Sequence, residues 1–155
     1  DVPIQLSAYV RFIKAGKLGI AYNALSKVRT GGKIGEVAKT ICDRIEKIRT
    51  EKRELFDGLM ADKKLWEAYK VGASYVRCFP RAKDVSKVRS AVSSIKYKPE
   101  VKSNLAAQKS YMRFAQIGYG SRAQKAMLGQ VNMAMRQLVQ KYGDTEFGEY
   151  ASQVK

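Results

Sequence analysis

Apolar side chains recur at helical spacing along most of this chain. From about residue 33 to residue 60, aliphatic residues follow one another at steps of three, four and seven, with charged residues between them. This period places the aliphatic side chains on one stripe of an amphipathic helix and the charges on its solvated face. The stripe consists of Ile34, Val37, Ile41, Ile45, Ile48, Leu55 and Leu59.

The same spacing predicts a second helix from Leu65 to about Phe79. Pro80 lacks a backbone N–H and restricts the residue before it, so it ends or kinks this helix. Apolar residues resume at Val85 with the same period, which predicts further helix after the kink. The next break in the predicted helical structure is the segment just before Pro99.

Two more helices are predicted in the second half of the chain. The third covers about residues 100–117, and a Gly-Tyr-Gly turn at 118–120 follows it. Ser121 and Gln124 have the spacing of a capping box, which predicts the start of the fourth helix. Gly143 supplies the expected stop of that helix.

The two ends of the chain show weaker patterns. A short helix fits within residues 3–15, but Gly16 and Gly19 interrupt the spacing, so the first thirty residues are expected to be largely irregular. Residues 144–155 resemble a tail with a mobile end.

Four amphipathic helices joined by short turns favour an antiparallel up-down bundle. The predicted fold class is therefore all-α, an antiparallel up-down four-helix bundle with an irregular N-terminal extension. The predicted domains are an N-terminal docking arm at 1–30, the bundle at 31–143 and a C-terminal tail at 144–155.

The charge balance adds a functional constraint. The chain has 30 Lys and Arg, 14 Asp and Glu and no His, which gives a net charge of +16 on 155 residues. Such an excess favours an anionic partner. Without His the chain lacks the commonest general base and the commonest neutral metal ligand. No catalytic constellation stands out, so we predict a protein that is not an enzyme and that holds no metal or cofactor. No apolar run approaches the ~20 residues that span a bilayer.

Two basic regions are predicted to contact the partner, because loops and termini carry binding more often than helix faces do. One is the N-terminal arm and the other is the hairpin between the first two helices. Their candidate residues are Arg11, Lys14, Lys17, Lys27 and Arg29 in the arm, and Lys63, Lys64 and Trp66 in the hairpin.

Cys42 and Cys78 form a disulfide candidate. Their midpoint is position 60, close to the predicted turn of an antiparallel hairpin, and residues equidistant from such a turn lie at the same height. The alternative is a pair of reduced thiols on different sides of the helices. In an oxidising compartment, the bridge would add about 3–4 kcal/mol of stability on the chain-entropy model.

Several short motifs resemble those of the PsbQ-type extrinsic proteins of photosystem II. The hairpin sequence Asp-Lys-Lys-Leu-Trp at 62–66 is similar to a basic stretch with a Trp in that family, and Ala-Ser-Tyr-Val-Arg at 73–77 resembles an Ala-Ser-Tyr-Leu-Arg run in plant members. The last helix has a similar spacing from Gly129 to Gly143. The shorter gap after Trp66 and the interruption at Pro80 resemble an algal PsbQ′-like branch more than the green-plant protein.

The resemblance implies a basic, non-catalytic four-helix bundle in the chloroplast thylakoid lumen, peripheral on the membrane. It implies docking on the lumenal face of photosystem II, near an inner antenna subunit and other extrinsic subunits. It also implies a role in oxygen evolution through retention of calcium and chloride at the oxygen-evolving complex.

Two other interpretations stay open from the residues. Lys and Arg neutralise phosphates and aromatic rings stack on bases, so a nucleic-acid-binding basic helical protein is one alternative. Against it, the cations are spread over all the helices and no nucleic-acid-binding signature is present. The other alternative is a basic helical linker of a light-harvesting or viral assembly.

Overall fold

All regular secondary structure in the described part of the protein is helical. A computed structural model describes residues 3–28, 31–117 and 124–153, without the side chains of 114–117 and 124–128. These residues form eight α-helices and no strand, which confirms the predicted all-α class. They group into two compact units, residues 1–95 and residues 96–155. The predicted division at residues 30 and 143 is a different partition and stays a prediction.

The first unit begins with three short helical segments. A 3₁₀ turn at Ile4–Leu6 leads into α1 at Ser7–Lys14, and α2 follows at Leu18–Leu25. The predicted short helix is confirmed, but the expectation that the rest of this region is irregular is wrong. Gly16, with φ +70°, makes the turn between α1 and α2.

The N-terminal helices belong to the core of the first unit. Leu6, Ala21 and Leu25 are buried there together with residues of later helices. Gly19 lies inside α2, and a Cβ at this position would come within 3.2 Å of Phe79 Cα. Glycine at this position therefore marks a close approach of two segments, where the sequence suggested a helix break.

Three further helices complete the first unit. They are α3 at Lys33–Ala61, α4 at Leu65–Cys78 and α5 at Val85–Ile95. The predicted bounds of the first two are confirmed to within about a residue. Pro80 ends α4, and a turn separates it from α5, so the chain does not continue as one kinked helix. A positive φ at Lys63 closes the turn between α3 and α4.

The helix α4 packs against both α3 and α5. Gly72 faces both neighbours, since a Cβ there would overlap Val92 of α5 and lie 2.6 Å from Phe56 Cε2 of α3. One turn further along α4, Tyr75 is fully buried. The absence of a side chain at Gly72 thus sets the distance between α4 and its neighbours.

The second unit contains α6 at Pro99–Ile117, α7 at Gln124–Tyr142 and α8 at Glu146–Ser152. The predicted third and fourth helices are confirmed as α6 and α7. The predicted turn at 118–120 and the capping residue Ser121 lie outside the described residues.

The predicted tail is largely helical, because α8 occupies most of it. Thr145 caps this helix: the Gly148 N–H donates to Thr145 Oγ1 at 3.1 Å. The buried Asn104 of α6 accepts a hydrogen bond from the Glu146 N–H at 3.3 Å, which ties the start of α8 to α6. Ala151 of α8 packs with Met135 and Leu138 of α7 in a small core.

Candidate functional site

Charge is distributed unevenly over the first unit. The helix α3 carries seven Lys or Arg and six Asp or Glu, and several of them pair along the helix. These pairs are Lys47–Glu51, Arg49–Glu46 and Arg53–Asp57. Residues 62–95 carry eight Lys or Arg against three Asp or Glu. The positive charge therefore lies mainly outside α3.

The predicted N-terminal docking residues lie on or beside the first two helices. Arg11 and Lys14 are in the last turn of α1, Lys17 precedes α2, and Lys27 follows it. All four side chains are exposed, and none pairs with an acidic residue in the described part of the chain. Arg29 lies outside the described residues. These four cations are available to an anionic partner.

The hairpin tip presents two exposed cations, Lys63 and Lys64. Lys64 Nζ lies 3.7 Å from Asp62 Oδ2, and both side chains are more than half exposed. An ion pair this open to solvent is weak, so it leaves Lys64 free to exchange partners.

The predicted contact residue Trp66 is buried, with 4% of its surface exposed. Its ring stacks on Tyr69 with centroids 5.9 Å apart, and Lys70 Nζ lies 5.3 Å from the ring centroid. The predicted docking role of Trp66 therefore does not agree with its burial. In the structure the indole packs at the start of α4. Burial of this large aromatic ring is favourable, which explains why Trp66 lies in the interior.

Both cysteines are free thiols in the structure. Burial, with the adjacent Asp43 carboxylate as a second cause, raises the pKa of the Cys42 thiol. Cys78 is buried, and its sulfur lies 4.0 Å from Ser74 Oγ.

The hairpin register bears on the predicted disulfide. Lys52 Nζ lies 3.4 Å from Ser74 Oγ, and Phe56 faces Gly72, so the hairpin is centred on residues 63–64. The α3 residues at the height of Cys78 are then 48–50, and Cys42 lies roughly 10 Å away along the helix axis. The bridge stays a prediction, and it requires a shift of this register.

A cleft of about 370 Å³ opens between α2, α3 and the segment that follows α4. Its apolar lining comes from Tyr22, Ile45 and Phe79, which belong to three different elements. Its cationic lining comes from Arg49 of α3 and from Arg81 and Lys83, which follow Pro80. The sequence analysis did not identify this cleft, because it joins residues that are far apart in the chain.

Arg49 sits at the edge of the cleft with unused hydrogen-bonding capacity. One of its terminal nitrogens donates to Glu46 Oε1, and another lies 4.0 Å from Asp84 Oδ1. Its Nε is buried and has no hydrogen-bond partner among the described residues. Buried donors are normally satisfied, so this unpaired Nε is an exception among the described residues, whereas the rest of the half-buried side chain reaches the cleft.

A hydrogen-bonded cluster fixes the segment that carries Arg81 and Lys83. The Tyr75 hydroxyl donates to Asp84 Oδ1 at 2.6 Å, and Arg53 donates to Asp84 Oδ2 at 3.1 Å. Burial and this hydrogen bond raise the pKa of Tyr75 to about 12. Burial opposes ionisation of Asp84, but the bonds from Tyr75 and Arg53 outweigh it and lower the pKa of that carboxyl.

The second unit contains an aromatic cluster and a second cleft. Tyr111, Phe147 and Tyr150 lie with ring centroids between 5.7 and 6.4 Å apart. A hydrogen bond to Glu146 raises the pKa of Tyr150. The cleft, of about 460 Å³, lies between α7 and α8, and its lining includes Arg136.

Metal-binding and membrane-spanning features are absent from the described residues. No group of three or more Cys, Asp or Glu side chains is placed to hold a metal ion there. None of the helices in the same part of the chain has the length and apolar character needed to cross a membrane.

Fold and site together define an all-helical basic protein with exposed, unpaired cations and a cationic cleft. Comparison of the chain with protein-family models, with curated proteins and with solved structures finds no match. The chemistry of its own surface is therefore the ground for a functional proposal.

Proposed function

We propose that this protein is a non-catalytic basic subunit that docks on the lumenal face of photosystem II, as the PsbQ-type resemblance implies. The observation that carries the proposal is the set of exposed cations outside α3 that have no acidic partner within the described residues. A surface of this kind gains most from an acidic protein partner, because opposite charges across an interface speed and orient association.

The proposal includes the partner and the place of action. The partner is a photosystem II core with its inner antenna and other extrinsic subunits. The place is the thylakoid lumen of a chloroplast, where the protein is peripheral on the membrane. The bound subunit stabilises the oxygen-evolving complex and its retention of calcium and chloride. An antiparallel up-down four-helix bundle belongs to the same proposal.

Rebinding to salt-washed photosystem II membranes tests this function. The wild-type protein should bind saturably and restore oxygen evolution at low calcium and chloride. Replacement of three arm cations should weaken binding, because rim charges steer association. Deletion of residues 1–30 is a poor variant, since it removes buried Leu6, Ala21 and Leu25 from the core.

The test variant is Arg11→Gln/Lys14→Gln/Lys17→Gln. Its matched control is Lys33→Gln/Lys39→Gln/Arg44→Gln on α3, which removes the same number and types of exposed cations. Circular dichroism checks that both variants keep their helicity. Absence of saturable wild-type binding would contradict the proposal, and so would tight saturable binding of RNA or DNA at physiological salt. The second result would support the nucleic-acid alternative.

A further inference from the structure

The cleft between α2, α3 and the segment after α4 combines two kinds of surface. Gly19 lets α2 approach the end of α4, with a hypothetical Cβ only 3.3 Å from the Cys78 carbonyl oxygen. This approach forms one wall and leaves Tyr22, Ile45 and Phe79 at the apolar part of the lining. Ile45 and Phe79 are only 3% and 2% exposed, so the half-buried Tyr22 offers most of this apolar surface to a partner.

The opposite part of the lining is positively charged. Arg81 and Lys83 are exposed and make no ion pair with any described residue. Arg49 adds a third, half-buried cation, which pairs with Glu46 and lies 4.0 Å from Asp84 Oδ1. Among the described residues that line the cleft, Glu46 carries the only carboxylate, and it already accepts a hydrogen bond from Arg49. The cleft therefore has an excess of positive charge.

The segment that carries these cations is held in place before any ligand binds. Asp84 follows Lys83 directly and is bound by Tyr75 of α4 and Arg53 of α3. The Ala82 N–H also donates to the Phe79 carbonyl at 3.1 Å within the turn. A binding surface that is already ordered loses less entropy on association.

We propose that this cleft binds an acidic segment of the partner protein, in which carboxylates lie next to an apolar side chain. The carboxylates contact Arg49, Arg81 and Lys83, and the apolar side chain lies against the half-buried ring of Tyr22. This inference rests on the proposed function, since it names the surface by which the acidic partner is held. The cations select a negatively charged segment, and the apolar lining at Tyr22 favours one that also carries an apolar side chain over a purely polyanionic ligand.

The direct test uses a fluorescein-labelled, capped peptide of sequence Glu-Phe-Glu-Glu-Phe-Glu and the full-length protein. Fluorescence anisotropy at about 0.15 M salt measures the dissociation constant, so that long-range attraction is screened. Arg81→Gln/Lys83→Gln should weaken binding about tenfold, as expected for the loss of two exposed charge contacts. Glu46→Gln should tighten binding, because it removes the carboxylate that repels the peptide.

The matched control is Lys87→Gln/Arg89→Gln on α5, which removes one exposed Lys and one exposed Arg from the same region. This control should bind the peptide as the wild type does. An equal loss of binding in both double variants would overturn the proposal, because net charge alone would then explain the affinity. Equal binding of a peptide with Ser in place of Phe would overturn it too, since the apolar lining would then play no part.

Two further measurements separate this proposal from its alternatives. Tighter binding of a single-stranded oligonucleotide, weakened by the Arg81 and Lys83 substitutions, would overturn the proposal and assign the cleft to phosphate. On salt-washed photosystem II, reduced rebinding of Arg81→Gln/Lys83→Gln relative to the α5 control supports the proposal. Normal rebinding of that variant would overturn the assignment of the cleft as a binding site but leave the proposed function standing. Absence of wild-type rebinding would contradict the proposed function itself.

Discussion

Asp84 connects two helices of the first unit through its two carboxylate oxygens. Tyr75 donates to one oxygen and Arg53 to the other. Burial makes the neutral hydroxyl of Tyr75 preferable to a phenolate, and the Asp84 charge next to it adds to that preference. The folded state therefore depends on the protonated form of this tyrosine.

Tyr75→Phe should lower the free energy of unfolding by about 1.5–3 kcal/mol at neutral pH, the usual contribution of a hydrogen bond to a charged group. The raised pKa of about 12 makes this contribution complete below the unfolded tyrosine value of about 10. The contribution is lost as pH rises between those values, so the difference between the two proteins should shrink over this range. Denaturant unfolding of both proteins at each pH measures it.

Tyr97→Phe is the control for this prediction. Tyr97 is 76% exposed, and it forms no hydrogen bond through its side chain with the described residues. The control should unfold as the wild type does at every pH. A difference between wild type and Tyr75→Phe that stays constant from pH 9 to pH 12 would contradict the role assigned to the neutral hydroxyl.

Among the helices, α3 and α4 followed the sequence pattern closely, because a long stripe and clear break signals define them. The helix α2 was missed because Gly19 was interpreted as a break, whereas its role depends on Phe79, sixty residues later in the chain. The helix α8 was missed although Glu146 and Glu149 lie in its first turn, where acidic side chains favour a helix start.

The packing of α4 rests on Gly72, so Gly72→Ala should destabilise the first unit. The added methyl overlaps Val92 and Phe56, and overpacking of this kind costs about 1–3 kcal/mol. Gly58→Ala is the matched control within α3, because a Cβ at Gly58 meets nothing within 4 Å. That change should stabilise the helix by about 0.5–1 kcal/mol. Urea unfolding followed by circular dichroism measures both, and an equal gain from both would contradict the close packing.

At the scale of the molecule, the sequence indicated the all-helical class and the exposed cations of the N-terminal segment. It did not indicate the cleft or the burial of Trp66. Both depend on which segments pack together, and the spacing of apolar residues within one helix carries no information on that. The cleft combines residues 19–23, 45–49 and 79–83, so its chemistry exists only after folding.

Each unit has its own core, which predicts separate unfolding behaviour. The buried cluster of the first unit runs from Leu6 to Ile95, whereas Met135, Leu138 and Ala151 cluster in the described part of the second unit. The second unit is the shorter of the two, and small domains bury a smaller fraction of their surface, so we expect the fragment 96–155 to melt at a lower temperature than the fragment 1–95. Trp66 is the sole tryptophan of the chain and reports on the first unit.

In the full chain, helicity should begin to fall before Trp66 fluorescence changes. Thermal scans that follow both signals on one sample make this comparison. Coincident transitions, together with a fragment 1–95 that does not fold, would contradict separate cores.

The uneven charge of the first unit gives added salt two opposing effects. In the free protein, unpaired cations repel one another across α1, α2 and the segment after α4, and this repulsion opposes compaction. At about 0.15 M salt the screening length is about 8 Å, so added ions relieve that repulsion and favour the folded chain. The same ions weaken attraction to an acidic partner. A high-salt wash should therefore release this protein in its most stable form, ready to bind again when the salt is removed.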